Sequence, residues 1–430
     1  MLIHIVQPGD TISTIADKYK ISVVRLIQDN GLVESSNLVH GQALVIAYPK
    51  QTYTVQEGDT LTAIAEKNGI SMIRLLRNNP YLNDRKFIYP GETLVISYDN
   101  TKGKLTTNGY VNAFVNMNVL KKTLPFLSYL TVFGYRIIED GGVVDLDHDE
   151  EIIRTAKEYK VIPIMMLSTL NLQGIGSVDI SYNLVYNNNN INKFIDNVLR
   201  MLHTKGYMGI NLTFQFINED SRPQYENLAK ILTTRLHQEG YLAFVTLSEN
   251  FVYEANYINF EQINYSQIGV SLDGFTLLNF NWGYTYGPPA PVVSQENLSE
   301  FVEYVNSKIP PRKTEVAITT IAYDWELPYV AGVTVTKSLS ISSVISLASN
   351  VGAVIQFDEV SQTPFFRYTE NKNGILRRHI VWFVDARTVD SISSMVVVNG
   401  NRGAAVWNIM NYFPQLWVIL NSQYEIETLL

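Results

Sequence analysis

The chain contains no cysteine, so disulfides, thiolate metal sites and thiol nucleophiles are all excluded. Histidine is scarce: six residues (His4, His40, His148, His203, His237, His379) are scattered with no H-x-x-x-H pair, which argues against a catalytic zinc site. Basic residues are outnumbered, 33 against 41 acidic, and no basic run is interleaved with aromatics. A net charge of −8 is therefore a poor match to nucleic acid or an anionic membrane. No apolar run is long enough to span a bilayer, and no basic-then-apolar leader precedes the first patterned segment. The expectation is synthesis in a cytoplasm, no cofactor, no metal, and no nucleic-acid or membrane partner.

What is present is a globular chain of 430 residues, 46% hydrophobic, too long for one ordinary core. Its first hundred residues repeat. Val6-Gln7-Pro8-Gly9-Asp10-Thr11-Ile12-Ser13-Thr14-Ile15-Ala16 recurs 49 residues later as Val55-Gln56-Glu57-Gly58-Asp59-Thr60-Leu61-Thr62-Ala63-Ile64-Ala65. Each copy continues through a second helix to an Asn (Asn30, Asn79), then a Gly (Gly41, Gly91) and a short apolar strand. Gly-Asp-Thr after a strand predicts a turn and a helix N-cap, with Thr11 or Thr60 supplying the capping oxygen.

This repeat resembles the LysM module across both copies, assigned to residues 1–49 and 50–99. The resemblance implies binding of N-acetylglucosamine units of peptidoglycan or chitin. Its groove would use Gly9, Asp10, Thr11 and Asn30, then Gly58, Asp59, Thr60 and Asn79. Two modules on one polymer gain avidity.

From residue 105 to 430, near-continuous apolar strands alternate with helical patterns. Such strands are buried on both faces and therefore parallel, which predicts an α/β fold, a (β/α)8 TIM barrel. Between Asp324 and Arg387 the pattern shifts to short β runs, predicting a hairpin-rich insertion beside a cleft. Aromatic residues crowd several strand ends, where saccharide rings stack on their planes.

This part resembles the family 18 glycoside hydrolases, in particular the LysM-bearing cortex-fragment-lytic glucosaminidases of spore-forming bacteria. The carriers are Trp282-Gly283-Tyr284-Thr285-Tyr286-Gly287-Pro288-Pro289, Tyr323-Asp324-Trp325, Gln356-Phe357-Asp358-Glu359, and Trp407 before Phe413-Pro414-Gln415. The resemblance implies sugar contacts at Trp282, Tyr323, Asp324 and Trp407, with Trp407 the floor beneath the scissile bond. It also implies substrate-assisted catalysis through D-G-x-N-x-D-x-E on the fourth strand.

Here that motif reads Met208-Gly209-Ile210-Asn211-Leu212-Thr213-Phe214-Gln215. Met208, Thr213 and Gln215 stand where the family has acids. On the sixth strand, Phe280 and Asn281 replace the family's Tyr and acid. An amide cannot deliver a proton, and general acid catalysis contributes about 10²–10⁴ in rate. Glu219 and Asp220 follow four and five residues past Gln215, and since a substitute acid needs hydrogen-bond reach of the glycosidic oxygen, neither is expected to replace it. Asp273 is expected at the wrong end of its strand.

The expectation from sequence is a chain that is not an enzyme: a glycan-binding or structural protein of the spore envelope, with possible self-association. The alternatives are an active N-acetylglucosaminidase on cortex fragments and a self-assembling scaffold without a glycan role.

Overall fold

The structure is a computed structural model that describes all residues except 34–36, 86, 171–175, 215, 249–250, 254–257 and 279–286. Each N-terminal module is two helices on a two-stranded antiparallel sheet. The first pairs β1 (Leu2–Ile5) with β2 (Ala43–Ile46) and carries α1 (Ile12–Tyr19) and α2 (Val23–Asn30). The second pairs β3 (Gln51–Thr54) with β4 (Thr93–Ser97) and carries α3 (Leu61–Lys67) and α4 (Met72–Asn78). The apolar faces close small cores around Ile15, Leu26 and Leu44, and around Ile64, Leu75 and Leu94.

The Gly-Asp-Thr segments form as the sequence predicts. Gly9 and Gly58 take φ of +88° and +83°, a backbone that L side chains rarely adopt. Asp10 and Asp59 then accept the backbone N–H of Gln7 and Gln56, at 2.7 and 2.8 Å. Thr11 and Thr60 accept the N–H of Thr14 and Ala63, each at 3.1 Å, and so cap α1 and α3.

Eight parallel strands close the barrel: β5 (Lys104–Val111), β6 (Tyr129–Ile137), β7 (Ile162–Ser168), β8 (Gly209–Thr213), β9 (Leu242–Ser248), β10 (Gly274–Leu278), β11 (Thr314–Thr319) and, after the insertion, β17 (Gly403–Trp407). Closure is the pairing of β5 with both β6 and β17. Helices α5 (Met117–Thr123), α6 (Glu150–Glu158), α7 (Asn188–Lys205), α8 (Arg222–Gln238), α9 (Gln295–Asn306), α11 (Ala386–Val398) and α12 (Pro414–Gln423) lie outside.

Between β11 and β17 sits an antiparallel sheet of β12 (Ile321–Leu327), β13 (Lys337–Ser340), β14 (Gln356–Asp358), β15 (Thr363–Lys372) and β16 (Ile375–Trp382). It carries helix α10 (Ile341–Asn350).

One helix, α12, fastens both modules to the barrel. Gln415 Nε2 donates to Asn30 Oδ1 at 3.0 Å and to the Ala43 carbonyl at 2.7 Å, while Asn421 Nδ2 donates to Asn78 Oδ1 at 2.9 Å. Arg77 of α4 reaches the Pro125 and Ile426 carbonyls. Its desolvation, with Arg74 nearby, lowers the guanidinium to about 10. Across the seam, an added Cβ on Gly41 would stand 1.9 Å from the Ile355 carbonyl oxygen, so only glycine permits this approach.

Candidate functional site in the barrel mouth

Strand alternation sorts β8 into two faces. Ile210 and Leu212 join the core between strands and helices, while Asn211 and Thr213 project into the lumen. Three layers of side chains fill that lumen. At the N-terminal end, Met208 packs with Tyr129, Ile162, Ile164 and Phe244. Arg402 lies over the Tyr129 and Phe244 rings and pairs with buried Glu315 at 3.0 Å. Met208 is thus remote from the mouth and fills no cleft there.

The middle layer is a neutral polar network. Asn211, fully buried, donates to the Tyr110 hydroxyl at 3.0 Å and accepts from Thr246 Oγ1 at 2.7 Å. Thr131 donates to Asn108 Oδ1 at 2.8 Å. Burial raises the Tyr110 hydroxyl above its ordinary range, so it stays protonated and able to donate. Period-two polar residues on β5, β8 and β9 were the available signal for this network.

The top layer is aromatic and apolar: Trp407 packs on Tyr110 (ring centroids 5.2 Å) and Phe133 (4.8 Å), beside Met166, Leu278 and Ala405. The Trp407–Asn408 peptide is cis, and Trp407 remains only partly covered. The Thr213 hydroxyl oxygen is buried and has no hydrogen-bond partner among the described residues. An aromatic floor of this kind suits the C–H face of a sugar ring. Gln215, Phe280, Asn281 and Trp282 lie outside the described residues.

Asp324 is buried, accepting from the Tyr368 hydroxyl at 2.8 Å and lying 2.9 Å from His379 Nδ1. Its carboxylate is committed to the inserted sheet, which runs against its reading as a sugar contact. Burial, and then the Asp324 carboxylate, raise the Tyr368 hydroxyl well above its usual range. Tyr323 is half-buried with its ring 5.7 Å from Trp325.

Glu219 is engaged in its own loop, paired with Arg222 at 2.9 Å and accepting the Asn264 N–H at 2.6 Å. The Arg222 guanidinium, and then the Asn264 N–H, hold its carboxyl below the usual range and so favour the ionised form. Asp273 sits at the N-terminal end of β10, bonded to His237 and to the Ala243 N–H. Among the described residues, no group of three or more His, Asp or Glu side chains could hold a metal ion.

In the modules, Asn30 and Asn79 turn inward. Each bonds in both directions with its own strand, Asn30 with Val45 and Asn79 with Val95, and also donates to a carbonyl of its own helix. Both are corrected from sugar contacts to ties between helix and strand. Gly9, Thr11, Gly58 and Thr60 are exposed, with Asp10 and Asp59 half-exposed beside them.

Residues 111–411 match the family model described as glycosyl hydrolases family 18, and residues 4–47 and 53–97 match the LysM domain. The chain is 30% identical over 427 residues to the cortical fragment-lytic enzyme of Bacillus anthracis, covering 98% of each. It is 30% identical over 433 residues to the enzyme of the same name in Bacillus subtilis, covering 99% of each. The crystal structure of the Bacillus megaterium spore cortex-lytic enzyme SleL superposes with a TM-score of 0.80 at 26% identity, covering 100% of this chain and 99% of that one. These relatives overturn the expectation that the chain is not an enzyme, because proteins that match it end to end are named as lytic enzymes.

Proposed function

The chain belongs to glycosyl hydrolase family 18, and on that premise we propose that it is a spore-associated glycosidase acting on N-acetylglucosamine-containing fragments of cortex peptidoglycan, which its LysM modules hold. The observation that carries this reading is the end-to-end match to cortical fragment-lytic enzymes, both LysM modules included. Trp407, backed by Tyr110 and Phe133, supplies the platform for the sugar at the bond to be cut. The Thr213 hydroxyl stands two residues above Asn211 on the lumen face, where it can bond the substrate acetamide. That acetamide supplies the nucleophile in substrate-assisted cleavage, so the protein need not provide one.

With Gln215 in the family's acid position, proton delivery to the leaving oxygen is not assisted by a carboxylic acid. Orientation on the aromatic floor and hydrogen bonds to the acetamide remain, and the turnover expected is about 10²–10⁴ below that of an acid-bearing barrel. The test is incubation of the pure full chain with purified cortex fragments, following reducing ends over days. Steady release that scales with protein concentration is expected, together with its loss in Trp407→Ala. No release above a heat-inactivated control would overturn the reading.

A further inference from the structure

The second LysM module meets the barrel at the end opposite the mouth. The chain after α12 forms a short strand, β18 (Glu425–Ile426), parallel to the start of β5, with Glu425 beside Lys104 and Ile426 beside Leu105. Between this strand and α4 of the module is a cavity of about 380 Å³. Pockets for small ligands run from roughly 300 to 1,000 Å³. Gly58, Asp59, Thr60 and Asn79 are not among its lining residues, nor is any described residue from 79 to 99. It is therefore distinct from the groove expected at the Gly-Asp-Thr turn.

Arg77 is the unusual group in its wall. The residue is only 8% exposed. Nε donates to the Pro125 carbonyl and Nη1 to the Ile426 carbonyl at 3.0 Å, which uses two of a guanidinium's five N–H groups. Nη2 carries no bond among the described residues, and no carboxylate there forms an ion pair with Arg77. Glu425, the acid that acts on Arg77, is paired with Lys104 at 3.4 Å. Arg74, one turn earlier on α4 and exposed, brings like charge to the same cavity. Buried charges are ordinarily paired. A buried cation bonded to carbonyls alone is half of a pair, with its free edge toward a polar cavity.

The cavity sets the charge of the missing half. Arg74, Arg77 and Lys104 line it against Glu425 and Glu427, which leaves one positive charge in excess. A monoanion balances that charge. A guanidinium presents its N–H groups as a fork that matches the two oxygens of a carboxylate. Ser71 and Thr428 add hydroxyls at the wall.

We propose that this cavity is a carboxylate site, anchored by Arg77 and taking the carboxyl-bearing peptide substituent of a peptidoglycan strand. The choice of peptide rests on the glycan reading above, which gives the module bounding the cavity a strand to hold. The carboxylate site itself rests on the cavity and its unpaired guanidinium.

The test is isothermal titration of the full chain with N-acetylmuramoyl-L-alanine, with its carboxamide, and with N-acetyl-L-alanine. The wild type is expected to bind the acid about tenfold more tightly than the carboxamide. Arg77→Gln should abolish that preference. Arg74→Gln, at an exposed position without an ion pair, should weaken the acid about threefold and leave the carboxamide unchanged. It decides the matter if Arg77→Gln does not fold. Glu427→Gln should tighten the acid. Equal affinity for acid and carboxamide in the wild type, or an Arg74→Gln isotherm that superimposes on the wild type, would overturn the site.

N-acetyl-L-alanine bound as tightly as the muramoyl compound would keep the carboxylate site and overturn the strand's peptide as its ligand. Cortex-fragment hydrolysis is measured in parallel. Arg74-dependent binding of the acid without any hydrolysis in the wild type keeps the site and removes the glycosidase reading. Hydrolysis without a preference for the acid does the reverse.

Discussion

Gln415 of the last barrel helix and Asn30 of the first module share a buried hydrogen bond of 3.0 Å, although 385 residues separate them in the chain. The same amide of Gln415 reaches the Ala43 carbonyl, so a single side chain bonds the module's helix and its strand. Gln415→Leu leaves these acceptors facing an apolar group. The expected loss is about 1–3 kcal/mol, read as a lower urea midpoint. Faster proteolysis at residues 99–104, between the modules and the barrel, should accompany it. An unchanged midpoint and cleavage rate would show that the seam is held elsewhere.

Restoring the acids should restore speed at the expense of stability. Thr213→Asp/Gln215→Glu returns carboxyl groups to two of the positions where the family motif carries acids. Cleavage of cortex fragments is expected to rise by about 10²–10⁴. The unfolding temperature should fall, because an ionisable carboxyl then replaces the buried Thr213 hydroxyl. A double variant with equal turnover and a higher midpoint would contradict both halves.

Tyr110→Phe removes one hydroxyl from the lumen. Asn211 Nδ2 then loses its bond to that hydroxyl in a site with no solvent exposure. A cost of about 1–3 kcal/mol is expected. Chemical denaturation with a constant m-value is the measurement, and a shift below a few tenths would mean that the network rearranges.

The module turns should open in acid. The Gln7 N–H first, and the His4 side chain second, hold the Asp10 carboxyl below its ordinary 3.8. The Gln56 N–H and then the Tyr53 hydroxyl do the same for Asp59. Both pKa values are depressed in the folded state, so the folded turns bind fewer protons than the unfolded chain at intermediate pH. Their contribution is present above about pH 3.8 and declines as pH falls through the folded values. Amide resonances of Gly9 and Gly58 followed from pH 5 to pH 2 should report this opening. Asp10→Asn and Asp59→Asn should make the response flat.

The repeat was readable because turn and cap chemistry is local: Gly9-Asp10-Thr11 needs only its own neighbours to form. The barrel strands were readable because burial on both faces leaves long apolar runs. Asn30 and Asn79 were misassigned for a physical reason. A side-chain amide that ties a helix to a strand occupies the same repeated position as one facing solvent, and only three-dimensional placement separates them. Asp324 was similar, since its partners Tyr368 and His379 lie on strands more than forty residues away. The loss of acids at Thr213 and Gln215 was legible, but residue identity in one strand did not determine whether the whole chain acts as an enzyme; its full-length relatives corrected that expectation.

The contact of Gly41 with Ile355 has a metric consequence. A module on a slack tether samples many distances from the barrel, and any sugar along a strand could then reach Trp407. Backbone set against backbone removes that choice. On the proposed glycosidase reading, a strand gripped by the first module is presented to the mouth at one separation, and in a polymer of repeating units one separation picks out one unit. The seam would then act as a ruler, whose length in sugar residues should appear as a preferred spacing in the fragments released.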